Sequence, residues 1–165
     1  IGKERKLTVG GMMSAKAKKT FTREVLKQHT VTVAGPWTTQ VDGGFVTTIK
    51  GDSEETIAGA RTQNAKEGMQ TLVKGNLEDT IAAAHTVTAK GSVGAGAKGK
   101  MKLTVGAALT ATAPQIEIVA ESEITIACGG ATITIKSSEV TVKAPTLTAA
   151  GPLISSNGAQ VKHNP

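Results

Sequence analysis

The chain has 165 residues and a formal net charge of +6, yet only two Phe, one Trp and no Tyr. That is too few aromatics for an ordinary globular core, which draws much of its buried area from them, and too few to stack the bases of a single-stranded nucleic acid. The apolar content is Val, Ile, Ala and Leu amid many Thr and Gly. Val, Ile and Thr are stiff at the first side-chain torsion and favour strands, so the composition predicts an all-β chain with a thin core of small side chains.

From Val9 onward the chain keeps an eight-residue rhythm. Val9, Ala17, Val25, Val33, Val41, Ile49, Ile57, Ala65, Val73, Ile81, Ala89, Ala97 and Val105 stand eight apart. Two residues later glycine recurs, at Gly11, Gly35, Gly43, Gly51, Gly59, Gly75, Gly91 and Gly99. A fixed short period held over about a hundred residues marks a repeat architecture and points to a rigid rod. With Val9 at position 1, position 5 is often large and apolar (Met13, Phe21, Trp37, Phe45, Met69, Leu77, Met101) and position 7 is apolar in places (Val31, Val87, Leu103). Position 2 is lysine at Lys18, Lys50, Lys66, Lys74, Lys90 and Lys98, and position 8 is threonine at Thr32, Thr48, Thr56, Thr80, Thr88 and Thr104. Odd positions therefore face inward and even positions outward, the alternation of a strand. Glycine at position 3 suits a corner, where this parity breaks. The lysines form a solvated face, so the charge implies no nucleic-acid partner.

One octad makes one short strand and one corner and buries only a few side chains. A lone chain wound this way is expected to leave both edges of each strand unpaired, and unpaired edges invite another chain. Three identical chains twisted about one axis would fill one another's ladders. The expected fold is therefore an intertwined triple-stranded β-helix, an obligate homotrimer, with a shaft about 70 Å long at the usual strand spacing. Its interior is polar in two places. Lys19, Arg23, Lys27 and His29 form one such stretch, and Ser53, Glu55, Arg61, Gln63 and Glu67 the other. Like charges in a dry ring are costly unless paired, so Arg61 is expected to meet Glu55 or Glu67 of a neighbouring chain, or the segment is hydrated and holds ions. His29 and His85 share position 5, and a three-histidine ring on the axis could hold a metal or an anion. A histidine bonded to water or polar neighbours is the simpler expectation, and no metal or cofactor is assigned.

The rhythm fails after Ala113-Pro114. Apolar pairs then follow at Ile116/Ile118, Ile124/Ile126, Ile133/Ile135 and Val140/Val142, with turn residues Gly129-Gly130 and Ser137-Ser138 between them. Residues 1–113 are thus expected to be the octad shaft, and 114–165 a tapering β-prism tip. The tail, from Gly151-Pro152 to His163-Asn164-Pro165, is rich in turn formers and would cap the rod. Cys128 is the only cysteine, so no disulfide forms within the chain. No signal peptide is evident, and no apolar run approaches a membrane span. The opening at Ile1 without an initiator Met is expected of a fragment or of a processed chain.

The V-x-G octads resemble the needle of the phage T4 cell-puncturing device and the C-terminal spike of VgrG proteins of type VI secretion systems. The stretch Ile124-Thr-Ile-Ala-Cys128-Gly129-Gly130-Ala-Thr-Ile133-Thr-Ile135, followed by Val140-Thr-Val142-Lys-Ala-Pro145, is similar to VgrG sequences in particular. The resemblance implies a trimeric spike at the tip of a contractile tube. Such a spike waits in the bacterial cytoplasm, is then secreted, and is driven through a target membrane. It implies that the C-terminal end, here Val161, Lys162, His163, Asn164 and Pro165, docks a PAAR-repeat tip protein or an effector. It also implies hub and OB-fold domains upstream, absent from this sequence, that join the spike to Hcp-like tube proteins. Some phage tips bind iron through a His-x-His pair. His29, His85 and His163 are far apart, so an intrinsic iron tip is not expected.

No nucleophile elbow, zincin motif, P-loop or dinucleotide fingerprint occurs, and no enzyme is expected. The glycine-rich run from Gly91 to Gly99 fits the octad phase and lacks a phosphate-binding pattern. Glu54 and Glu55 adjoin, so on a strand they face opposite sides. The alternative function is a phage tail fibre or adhesin shaft that binds a cell-surface receptor. Such a tip usually needs exposed aromatics, and Trp37 sits at an inward position.

Overall fold

The computed structural model describes residues 4–128 and 130–146, and every regular element there is a strand. In chain order these are β1 (Glu4–Val9), β2 (Met13–Ala17), β3 (Phe21–Val25), β4 (Gln28–Val33), β5 (Trp37–Val41) and β6 (Phe45–Ile49). There follow β7 (Ser53–Ile57), β8 (Arg61–Ala65), β9 (Met69–Val73), β10 (Leu77–Ile81), β11 (His85–Ala89) and β12 (Ser92–Ala97). The last are β13 (Lys100–Val105), β14 (Leu109–Thr112), β15 (Gln115–Ala120), β16 (Glu123–Cys128), β17 (Ala131–Lys136) and β18 (Val140–Lys143).

Each octad supplies one strand from positions 5 to 1 and a corner from positions 2 to 4. Three octads close one turn, and the chain then stacks on itself as a β-solenoid with three walls. One wall runs β1-β4-β7-β10-β13-β16-β17-β18, a second β2-β5-β8-β11-β14, and the third β3-β6-β9-β12-β15. Pairing is parallel, and residues 24 apart face one another, as Val9 faces Val33 and Thr56 faces Thr80. The ladder bonds therefore run along the solenoid axis. This corrects the expectation that a lone chain leaves its strand edges unpaired: a coil of three octads brings each strand's partner from the same chain.

The inward column is the one that the octad predicts. Val25, Val33, Val41, Ile49, Ile57, Ala65, Val73, Ile81, Ala89, Ala97 and Val105 are all buried, with Ile49 and Val73 fully enclosed. Trp37, Phe45, Met69, Leu77 and Met101 fill position 5, and Phe21 stacks on Phe45 at 5.2 Å. Lys19, Lys27 and Glu67, expected inside, are exposed. They occupy position 3, where the chain turns a corner and strand parity lapses.

The corners explain the glycines. A Cβ on Gly35 would come within 2.9 Å of the Gly11 backbone, and one on Gly59 within 2.6 Å of the Pro36 nitrogen. Stacked corners approach too closely for a side chain. The ladder continues through them, since the Gly35 N–H donates to Gly11 O and the Gly75 N–H to Gly51 O, each at 3.1 Å. On one corner, side chains extend it: Asp52 Oδ1 accepts from the Asn76 N–H (2.8 Å), and Asn76 Oδ1 from the Lys100 N–H (3.1 Å).

At Pro114 the offset drops by one, so that Val93 faces Ile116 and Met101 faces Ile124. β16, β17 and β18 then pair antiparallel. They prolong the first wall past the point where the other two end, at β14 and β15.

Candidate functional site

Apart from inward threonines such as Thr39 and Thr47, the interior is apolar except for one charged cluster at mid-shaft. β3 brings Arg23 inward, β4 His29, β7 Ser53 and Glu55, β8 Arg61 and Gln63, β10 Asp79 and β11 His85. All of these sit at positions 5 or 7, the same alternation that points Val and Met inward on neighbouring coils.

Glu55 is the hub. Its Oε2 lies 2.7 Å from Arg61 Nη2, and its Oε1 accepts from Arg23 Nη2 at 3.2 Å. His29 Nε2 lies 3.3 Å from the same Oε1, so the Nε2–H tautomer donates to the carboxylate. Arg61 reaches a second acid, donating from Nη1 to Asp79 Oδ2 at 3.1 Å, and its guanidinium stacks 5.2 Å from the Trp37 ring centre. Two arginines thus balance two carboxylates. Arg61 does meet Glu55, as expected, but within one chain rather than across to a neighbour. Glu67 takes no part, being exposed at a corner. Asp79 was not foreseen. The signal was present, since Asp79 stands 24 residues after Glu55, directly above it on the next coil.

Burial pushes the Glu55 carboxyl up, but Arg61, the His29 hydrogen bond and Arg23 outweigh it and hold the group down at about 2. Asp79 goes the other way. Burial raises it against the pull of Arg61, Glu55 adds its repulsion, and the carboxyl is pushed up to about 6. Burial and the neighbouring Arg61 charge lower His85 to about 4. Several polar atoms here are buried without a protein partner, among them Arg23 Nε, Arg61 Nε, Asp79 Oδ1 and both ring nitrogens of His85. Donors and acceptors both occur among them, the mixture that buried water satisfies.

The structure places the other candidate residues as follows. His29 and His85 face inward but lie on different walls, and among the described residues no three His, Cys, Asp or Glu side chains gather as a metal site. Glu54 is exposed while Glu55 is buried, so the two do not act together. The Gly91 and Gly99 amides donate to Glu67 O (3.1 Å) and Gly75 O (3.3 Å), which commits them to the ladder rather than to a phosphate. Lys50, Lys66 and Lys98 lie outside and pair with Glu24, Asp42 and Glu121 respectively. Such exposed pairs contribute little. Val161, Lys162, His163, Asn164 and Pro165 fall outside the described residues.

A second feature is the apolar face of the prolonged wall. Ile124, Ile135 and Val140 form one row across it, and Ile126, Ile133 and Val142 another. Ile133, Ile135, Val140 and Val142 are exposed, Val140 by 66 %.

Comparison with protein-family models, with curated proteins and with solved structures finds no match to this chain.

Proposed function

We propose that this chain is the shaft of a membrane-puncturing spike, of the kind carried at the tip of a contractile injection machine, and that it works as a homotrimer. The observation that carries the reading is the prolonged wall. Inside the solenoid every wall is faced by two others, but among the described residues β17 and β18 face none, and their Ile133, Ile135, Val140 and Val142 are exposed. Bare apolar rows of this kind mark an interaction surface. Two further copies would supply the two missing walls by symmetry. All three walls keep the apolar residue of position 1, as winding three copies together requires, but the lysines of position 2 follow only the second and third walls, Gly10, Ala34, Ala58, Ala82 and Gly106 standing there after the first. Trp37, buried beneath Arg61, offers nothing to a sugar and so does not favour a receptor-binding fibre.

In this reading the C-terminal end, including 161–165, receives a PAAR-type tip protein or effector, and upstream domains join the shaft to the tube. Light scattering on the purified chain tests the assembly, with a mass three times the 16.8 kDa of one chain expected. A monomeric mass would overturn it. A pull-down with the C-terminal end, compared with a form lacking residues 152–165, tests the docking.

The charged cluster favours a second reading, a rod of a single chain. Arg23 reaches Glu55 because a coil of 24 residues brings β3 beside β7. Three intertwined chains would advance one layer per octad and set those residues four layers, about 19 Å, apart. Cysteine pairs separate the two windings in a Cys128→Ser background. Thr56→Cys with Thr80→Cys cross-links within one chain if residues 24 apart are neighbours. Thr56→Cys with Asn64→Cys cross-links between chains if residues eight apart are neighbours.

A further inference from the structure

Along one wall the inward side chains shrink from coil to coil as far as β12. On the third wall one column reads Phe21, Phe45, Met69, Val93, and the next Arg23, Thr47, Thr71, Ala95. The backbone cross-section is fixed by the ladder, so lost side-chain volume becomes empty space. The structure has that space, a cavity of about 160 Å³ whose wall includes Met69, Leu77, Val87, Val93, Ala95 and Met101. It is long and narrow. It begins at Glu55, Arg61 and Asp79 and follows the axis to Ile118 and Ile126 on the last coil.

Beyond its charged floor the lining is mostly apolar, and an apolar space of about this volume takes up apolar molecules. The floor does not call for an anionic head group, because its two arginines already face two carboxylates. What fits is a slender hydrocarbon lying along the axis. We propose that the shaft interior between the charged cluster and β16 is a binding site for one unbranched alkyl chain, such as the tail of a fatty acid. The site rests on the single-chain coil, the second reading above, and the cysteine pairs distinguish a failure of that coil from a failure to bind.

The test is titration calorimetry of the full chain with sodium octanoate, whose tail matches the cavity volume, below its micellar concentration. Saturable binding is expected, weakened at least tenfold by Ala95→Leu and by Val93→Phe, each of which fills the cavity from its wall. Both variants are expected to melt higher than the parent without ligand, as a filled void should. Val140→Asp, on the bare outer rows, is expected to leave binding unchanged. The proposal fails if octanoate does not bind, or if the filling variants bind as well as the parent. It also fails if Val140→Asp abolishes binding, which would place the ligand on the outer face. Equal binding of a branched carboxylate of the same carbon number would overturn the alkyl-chain assignment.

Discussion

Within the charged cluster, single residues pull stability in opposite directions with pH. The folded Asp79 carboxyl titrates at about 6, above its ordinary 3.8, so between these values the folded chain holds a proton that the unfolded chain lacks. Stability from this group therefore rises as pH falls through 6. His85, lowered from 6.5 to about 4, does the reverse: its contribution is complete above 6.5 and is lost as pH falls toward 4. The slopes oppose one another, and urea unfolding of the wild type is expected to change little between pH 6 and 4. Asp79→Asn leaves His85 unopposed. That variant is expected to be more stable than wild type at pH 7, by on the order of 1–3 kcal/mol, and to lose stability steadily as pH drops toward 4. A flat profile for the variant would refute the pairing. Glu55 behaves differently, because its depressed value means stability present above 4.5 and lost toward 2. Glu55→Gln strands Arg23 and part of Arg61 in the interior, and is expected to cost about 3–5 kcal/mol in a denaturant titration at pH 7.

Each strand with its corner was largely legible from the octad. Position 1 is buried from Val25 to Val105, and Trp37, His29 and His85 all face inward as their positions require. The coil was missed. A repeat of eight is compatible with a neighbour eight residues away in another chain or 24 away in the same chain, because 24 is three octads. The longer period is nonetheless in the sequence: Thr8, Thr32, Thr56, Thr80 and Thr104 recur every 24 residues, Gly10, Ala34, Ala58, Ala82 and Gly106 interrupt the lysines at the same interval, and Asp79 follows Glu55 as Asn76 follows Asp52. Corner parity was missed at Lys19, Lys27 and Glu67 because alternation holds only while the backbone is extended. The corners also set a prediction. Gly59→Ala places a methyl group against the Pro36 backbone and is expected to cost about 1–3 kcal/mol, read as a lower urea midpoint. Gly94→Ala, where nothing lies within 4 Å, is expected to be near neutral. Equal effects at both sites would show that the close approach at the corner is not what selects glycine.

At the scale of the molecule, a well-enclosed solenoid passes into a wall that the described residues leave bare. If copies meet on that wall, Ile133→Asp with Ile135→Asp should reduce the assembly to single chains while the β-sheet signal in circular dichroism persists. An assembly of unchanged mass would move the contact elsewhere. The direction of the ladder carries a mechanical consequence. Because its bonds run parallel to the axis, a blow on the end is borne by three walls at once, whereas a sideways pull on the terminal coil would open bonds one after another, like a zip. Such a body is strong along its length and weak to peeling, so it suits a single thrust better than repeated bending.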